Sequence, residues 1–220
     1  MDSTEILALF DEQVRRPNDP DGLFIGDGWS AVLRPPPDAD VERLVARMRE
    51  VPGHVEWKYY SHDLPADLPE RLVAAGLVPE DEETVVATEA SSIPPPPADV
   101  DLRIVTEEFV DLAARVFGSR FELPEKAVAV IAVVDGEPVS GGRVDLEDGT
   151  AFAGLFGGVT LPEFRGRGLY RATVAKRAEL AREGGYRWLY SDALPTSRPI
   201  LERLGFVAIT TTTPFTLPGS

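Results

Sequence analysis

The chain has 220 residues, 37 Asp and Glu against 22 Lys and Arg, two His, no Cys and a formal net charge of −15. At 43% hydrophobic it can bury a core, which excludes general disorder. Without Cys there are no disulfides, thiolate metal ligands or Cys nucleophiles; two His leave little for a metal centre, and the acidic balance excludes general nucleic-acid binding.

No apolar run approaches the roughly 18 to 20 residues of a membrane span. The first ten residues carry Asp2 and Glu5 instead of a basic-then-apolar signal pattern. A cytoplasmic protein is expected, with no membrane or nucleic-acid partner, as a monomer or homodimer.

Taken in chain order, Arg34-Pro35-Pro36-Pro37 precedes a predicted helix over 40–50. Trp57, Lys58, Tyr59, Tyr60 and His62 mark an aromatic-rich strand. Alternation puts Trp57 and Tyr59 on one face and Lys58 and Tyr60 on the other. That strand is either plain core or part of an acceptor pocket. Asp67 and Glu70, with Pro69 between them, read as a capping box. The acidic run Glu80-Asp81-Glu82-Glu83 reads as a solvated loop or a cation-attracting rim.

Four consecutive prolines, Pro94 to Pro97, forbid helix and central strand. They predict a linker over 93–99 between an N-terminal domain, 1–92, and a C-terminal domain, 100–220. In the latter the pattern predicts a strand over 102–105, a helix over 107–117 and a strand over 127–134. An Asp135-Gly136 hairpin turn and strands over 138–145 and 150–161 follow. A helix then runs from near Gly168 to Gly184-Gly185. After a strand over 187–192 come a helix over 196–204 and a Thr-rich strand over 206–217. The fold class is α/β, a mixed sheet with helices on it. Tyr60, Ser61, Leu64, Pro65 and Pro69 recur as Tyr190, Ser191, Leu194, Pro195 and Pro199, as a degenerate duplication would leave them.

The stretch over 155–171, LFGGVTLPEFRGRGLYR, carries the chemistry. A strand ends near Leu161, a loop holds Arg165, Gly166, Arg167 and Gly168, and a helix begins at once. The first N–H groups of that helix lack intrahelical partners and lie at its positive end, a ready anion site. Residues 163–183 hold six bases and three acids, a local +3 that leaves −18 for the rest. The segment is neither a Walker loop nor a full G-x-G-x-x-G dinucleotide loop. Gly157 and Gly158, inside a strand, mark a bulge, a close ligand approach or tight sheet packing.

At these residues the sequence resembles the GNAT superfamily of acetyl-CoA-dependent N-acetyltransferases. That family's pyrophosphate loop, R/Q-x-x-G-x-G/A, is matched by Arg165-Gly166-Arg167-Gly168-Leu169-Tyr170, with Tyr at the last position. Its closing Leu-Gly-Phe is matched by Leu204-Gly205-Phe206. The resemblance covers residues 101–217. It implies a GNAT fold in the C-terminal part and a smaller, degenerate GNAT-like N-terminal domain. It further implies acetyl-CoA as co-substrate and a primary amine as acceptor. The acidic remainder of the chain suits a small-molecule, cationic amine, with a protein N-terminus or lysine as the alternative, and His54 and His62 are too few and too far apart for a metal site. Acetyl-CoA would lie where the strands beginning near Ala151 and Arg187 part. Gly158, Val159 and Thr160 would pair with its pantetheine arm, and the amides of Arg165, Gly166, Arg167, Gly168, Leu169, Tyr170 and Arg171 would hold its pyrophosphate.

The reaction implied is direct attack of a neutral amine on the thioester. Leu201 stands where many members have a Tyr general acid. Asp192 is then a candidate base, and Ser197, Tyr190 and Tyr170 candidate acids; the structural alternatives are a turn or cap residue for Asp192 and a helix N-cap for Ser197. The proline-rich stretch before the helix at 40–50 has few N–H donors, so only the C-terminal part is expected to bind CoA. The alternative function is a non-catalytic acyl-CoA-binding or regulatory module.

Overall fold

The computed structural model describes residues 1–20, 22–26, 29–118 and 123–218. Along the chain run α1 (Ser3–Gln13), β1 (Leu23–Ile25), β2 (Trp29–Val32), α2 (Val41–Met48), β3 (His54–Tyr60), α3 (Leu68–Ala74), β4 (Val78–Pro79) and β5 (Glu83–Glu89). There follow β6 (Asp101–Ile104), α4 (Glu107–Phe117), β7 (Ala127–Val134), β8 (Glu137–Asp145), β9 (Phe152–Thr160), α5 (Leu169–Glu183), β10 (Trp188–Ala193), α6 (Arg198–Glu202) and β11 (Val207–Thr216). They divide into two compact units: Met1–Val85 with Asp192–Pro195 and Ala208–Ser220, and Val86–Ser191 with Thr196–Val207. The proline-rich stretch 93–99 lies inside the second unit, and the last strand of the chain belongs to the first.

In the first unit β1 and β2 form an antiparallel pair, and α2 carries the chain from β2 to the parallel strand β3. β11 lies antiparallel along β3, from Thr212 opposite Tyr60 to Thr216 opposite Glu56. The apolar positions of α2 fall at Val41, Leu44, Val45 and Met48, one helical stripe. They pack with Leu68 and Leu72 of α3, Trp57 of β3 and Phe215 of β11. Trp57 is fully buried and Tyr59 packs against the same cluster, so the alternation expected along β3 holds.

The expected capping box at Asp67 and Glu70 does not form. Asp67 has φ −89° and ψ 11°, away from the extended conformation of a capping residue, and Pro69 has no N–H to offer. A capping box instead starts α1: the Asp2 carboxylate accepts from the Thr4 and Glu5 amides, and Glu5 accepts from the Asp2 amide.

In the second unit β6, β7, β8 and β9 pair antiparallel in sequence order. α5 then crosses to β10, parallel to β9. Asp135 and Gly136 both have positive φ at the β7–β8 turn, as an Asp-Gly hairpin requires. Phe109, Leu112 and Ala113 of α4 pack on Ala129 and Ile131 of β7, with Val159 and Leu169 in the same cluster. α6 is shorter than the 196–204 expected, because Ser197 is already its N-cap and Arg203 its C-cap.

Candidate functional site

The site is built on β9. Gly141 of β8 faces Val159, and Arg143 faces Phe156, so Gly157 and Gly158 stand opposite Gly142 alone. This is a bulge of two residues against one. Gly157 takes φ 62°, a left-handed conformation that costs a residue with a side chain about 1 kcal/mol or more. Ser140 and Thr160 both donate to the Val159 carbonyl, at 2.9 and 2.8 Å, and fix the strand beyond the bulge.

On its other side β9 is paired with β10 only through Phe152, Ala153 and Gly154, the last opposite Tyr190. One step further the Leu155 carbonyl accepts from the Ser191 hydroxyl at 2.8 Å, a side chain in place of the backbone ladder. β9 therefore runs on from Leu155 to Thr160 without β10 as a backbone partner. Tyr190 is half-buried on this parting edge, its ring edge-on to Phe156 at 5.5 Å.

The loop after β9 is tied to it by Arg165, whose Nε donates to the Thr160 carbonyl at 3.2 Å. Gly168 is the N-cap of α5 at φ 79°, and it carries no capping side chain. The first intrahelical bond runs from the Ala172 amide to the Gly168 carbonyl. The amides of Leu169, Tyr170 and Arg171 precede that ladder at the positive end of a 15-residue helix. Arg165, Arg167 and Arg171 are exposed around it. A bound phosphate there would meet backbone donors, the helix dipole and three guanidinium groups together.

The other bases of the local +3 window are not available to an anion. Lys176 is paired with Glu179, and Arg182 donates to the carbonyls of Ala90 and Ile93. Arg177 is 1% exposed. It donates to the carbonyls of Thr173, Arg143 and Phe156, the last two flanking the bulge. Burial works against its charge; the nearby Tyr170 and Asp145 favour it. The sequence reading missed this role. Its signal was phase: Arg177 lies seven residues after Tyr170 and four after Thr173, on the buried face of α5.

Tyr170 is turned onto the bulge. A Cβ placed on Gly158 would stand 2.7 Å from the Tyr170 ring and 3.2 Å from its hydroxyl. The ring thus covers one of the backbone positions expected to receive the pantetheine arm.

The first unit has a crossover of the same order, β2–α2–β3, but a different helix start. The N-cap of α2 is Asp40, whose carboxylate accepts from the Arg43 amide at 2.9 Å. A carboxylate already occupies the anion position there.

Of the remaining candidates, Ser197 begins the five-residue α6, and Leu201 is a core residue at 1% exposure. Asp192 belongs to the first unit, where its Oδ2 accepts from Lys58 Nζ at 2.6 Å. Glu83, grouped by sequence with a solvated loop, opens β5, and its side chain is only 21% exposed, 3.7 Å from Lys58. Its signal was its place at the head of the strand Glu83–Glu89. Among the described residues no group of three His or acidic side chains is placed to hold a metal ion, and no helix is long and apolar enough to cross a membrane.

A bulged strand that parts from its parallel neighbour, followed by a glycine-capped helix ringed with arginine, stands in a mixed α/β fold. The chain belongs to the acetyltransferase (GNAT) family, whose model matches residues 93–206, just over half its length. Acyl transfer from acetyl-CoA is the general chemistry of that family. The fold is similar to that of a GCN5-related N-acetyltransferase from Kribbella flavida, at TM-score 0.68 and 20% identity over 99% of this chain and 96% of that one. A GNAT-family acetyltransferase from Novosphingobium aromaticivorans aligns at TM-score 0.58 and 18% identity, over 98% and 95% of the two chains. A tandem GNAT protein from the clavulanic acid biosynthesis pathway aligns at TM-score 0.54 and 16% identity, over 80% and 67%. No curated protein matches the sequence.

Proposed function

We propose that the protein moves the acetyl group of acetyl-CoA to a primary amine of a small, cationic acceptor. The observation that carries this reading is the junction of β9 with α5 in a GNAT-family chain: free strand edge, bulge, glycine cap and three exposed arginines in succession. The pyrophosphate lies on the amides of Leu169, Tyr170 and Arg171 with Arg165 and Arg167 beside it. The pantetheine arm lies along β9 from Gly158 to Thr160.

In the transfer, the neutral amine nitrogen attacks the thioester carbon, the carbon–sulfur bond breaks, and the thiolate leaves. An alkylammonium near pKa 10 must first give up a proton, so a base is required. Asp192 is assigned to that side of the reaction, Tyr190 to protonation of the leaving thiolate, and Ser197 remains the second candidate for that acid. The support for Tyr190 is its place on the parting edge beside Phe156. The first unit is a degenerate GNAT-like half without a phosphate loop; the β2–α2–β3 crossover and the Asp40 cap support this.

One observation favours a second reading, a non-catalytic acyl-CoA sensor: the position of the usual Tyr acid is held by Leu201, sealed in the core. Calorimetric titration with acetyl-CoA, CoA and ATP tests both. Micromolar binding of acetyl-CoA in preference to ATP, lost in Gly168→Trp, is expected. Affinity weaker than about 1 mM would remove the cofactor assignment. Binding without CoA release across an amine panel would leave the sensor.

A further inference from the structure

Among the described residues of the second unit, Arg177 is the only charged residue that is fully buried. Its guanidinium lies flat on Gly142, the single residue opposite the bulge of β9. A Cβ placed on Gly142 would stand 2.5 Å from Nη1, 2.6 Å from Cζ and 2.9 Å from Nη2. Nη1 donates to the Arg143 carbonyl of β8 at 3.1 Å and to the Phe156 carbonyl of β9 at 3.5 Å. Nε donates to the Thr173 carbonyl of its own helix at 3.1 Å. A bulge of two residues against one breaks the ladder between its strands. At this break one side chain of α5 bonds a carbonyl of each strand.

Stability alone does not account for an arginine here. Its Nη2 is buried and has no hydrogen-bond partner among the described residues. The Tyr170 ring, centred 5.8 Å from Cζ, favours the charge only from a distance. A buried guanidinium with one nitrogen unpaired costs more than an apolar side chain of similar reach. What the guanidinium gains in return is its hold on the two strands. Gly142 belongs to the same arrangement, because any side chain there would displace the guanidinium.

The bulge also lies where β9 has left β10, whose backbone pairing ends at Gly154. A bulged strand bends, and the bend sets the direction of the edge beyond it. We propose that Arg177 is a positioning residue for the cofactor. By holding the Arg143 and Phe156 carbonyls it fixes the bend of β9. It thereby aims the free edge from Gly158 to Thr160 that receives the pantetheine arm. The proposal rests on the acetyl-CoA reading only in naming what that edge receives. Every residue it uses lies in the second unit.

The test compares the full chain with Arg177→Met, Arg177→Lys, Gly142→Ala and the double variant Gly142→Ala/Arg177→Met. Calorimetry with acetyl-CoA and with ADP, which has the pyrophosphate but no pantetheine arm, reads binding. Amide hydrogen exchange over 157–160 reads the bulge without any ligand. Arg177→Met and Gly142→Ala are each expected to weaken acetyl-CoA roughly tenfold and to speed that exchange. ADP binding should match wild type, and Arg177→Lys, which keeps a cationic donor, should recover most of the loss. The double variant should be no worse than Arg177→Met, because both changes remove the same contact. Thermal melts check folding; if Arg177→Met does not fold, Gly142→Ala and Arg177→Lys decide. Wild-type affinity and exchange in the folded variants, or losses that add in the double variant, would overturn the proposal. Failure of wild type to bind acetyl-CoA would instead remove the cofactor reading, and unchanged exchange over 157–160 would then overturn the hold on the bulge as well.

Discussion

Tyr170 stands at the loop position where a GNAT chain most often has Gly or Ala, and its ring rests on Gly158. The amide of Tyr170 is still at the free end of α5, so the departure leaves the outward amides of the first turn in place. What it changes is the bulge, whose outer face is now covered by an aromatic ring. If the pantetheine arm uses that face, the ring must swing away on binding, and part of the binding energy offsets that motion. Tyr170→Ala should therefore tighten acetyl-CoA by several-fold in a calorimetric titration. Unchanged or weaker affinity would mean the ring is a contact, not an obstacle.

Glu83 carries a second consequence at the same scale. Its folded carboxyl titrates at about 7 against an ordinary 4.5, chiefly through burial. A raised carboxyl pKa means the folded chain holds the proton longer than the unfolded chain. Its penalty is absent below about pH 4 and grows as pH rises to 7, where it levels off at no more than about 3 kcal/mol. Glu83→Gln removes the penalty. Urea denaturation should find variant and wild type equal near pH 4 and the variant more stable at pH 8. A constant difference across that range would contradict the assignment. The acidic character of Glu83 was plain in the sequence, but its burial was not, because a run of four acids reads as solvated until one of them is counted into a strand.

At the scale of elements, two strand–helix–strand crossovers of the same order differ at a single cap. α5 begins on Gly168, and its first amides face outward. α2 begins on Asp40, whose carboxylate already satisfies the Arg43 amide. The sequence showed the glycines of one loop and the prolines of the other, and the expectation that only the C-terminal part carries the phosphate loop rested on them. The cap contact adds the electrostatic reason. The bulge in β9 was likewise marked by Gly157-Gly158. The register shift against β8, and Arg177 bonded to the carbonyls that flank it, came only with the pairing of strands. The charge window illustrates the limit of local reading. Of its six bases three ring the helix start, and the others are spent on Glu179, on backbone carbonyls and on the buried bulge.

At the scale of the molecule, the chain does not divide at its prolines. β11 pairs along β3 and places Phe215 in the core of α2, α3 and Trp57. A fragment of residues 1–92 would expose the whole edge of β3 and lose a buried aromatic, worth on the order of 2–3 kcal/mol in apolar burial alone. Circular dichroism of that fragment should show no cooperative melting transition; a sharp one would show that β11 is dispensable to the first unit. Proline stiffness is local chemistry and was legible. Strand partnership is not, because β11 meets β3 across more than a hundred residues of chain, and nothing in either segment's alternation names its partner.

By itself the sequence determined the order and kind of most elements, the α/β class, the position of the Gly-Arg loop before α5 and the strand that precedes it. Periodicity, turn residues and glycine placement act over a few residues, so they can be read there. Tertiary structure alone decided which charges are buried, that Lys58, Asp192 and Glu83 meet, that Tyr170 lies on Gly158, and that the last strand completes the first unit's sheet. Each of these depends on contacts between segments distant in the chain or on burial, and both are properties of the packed molecule.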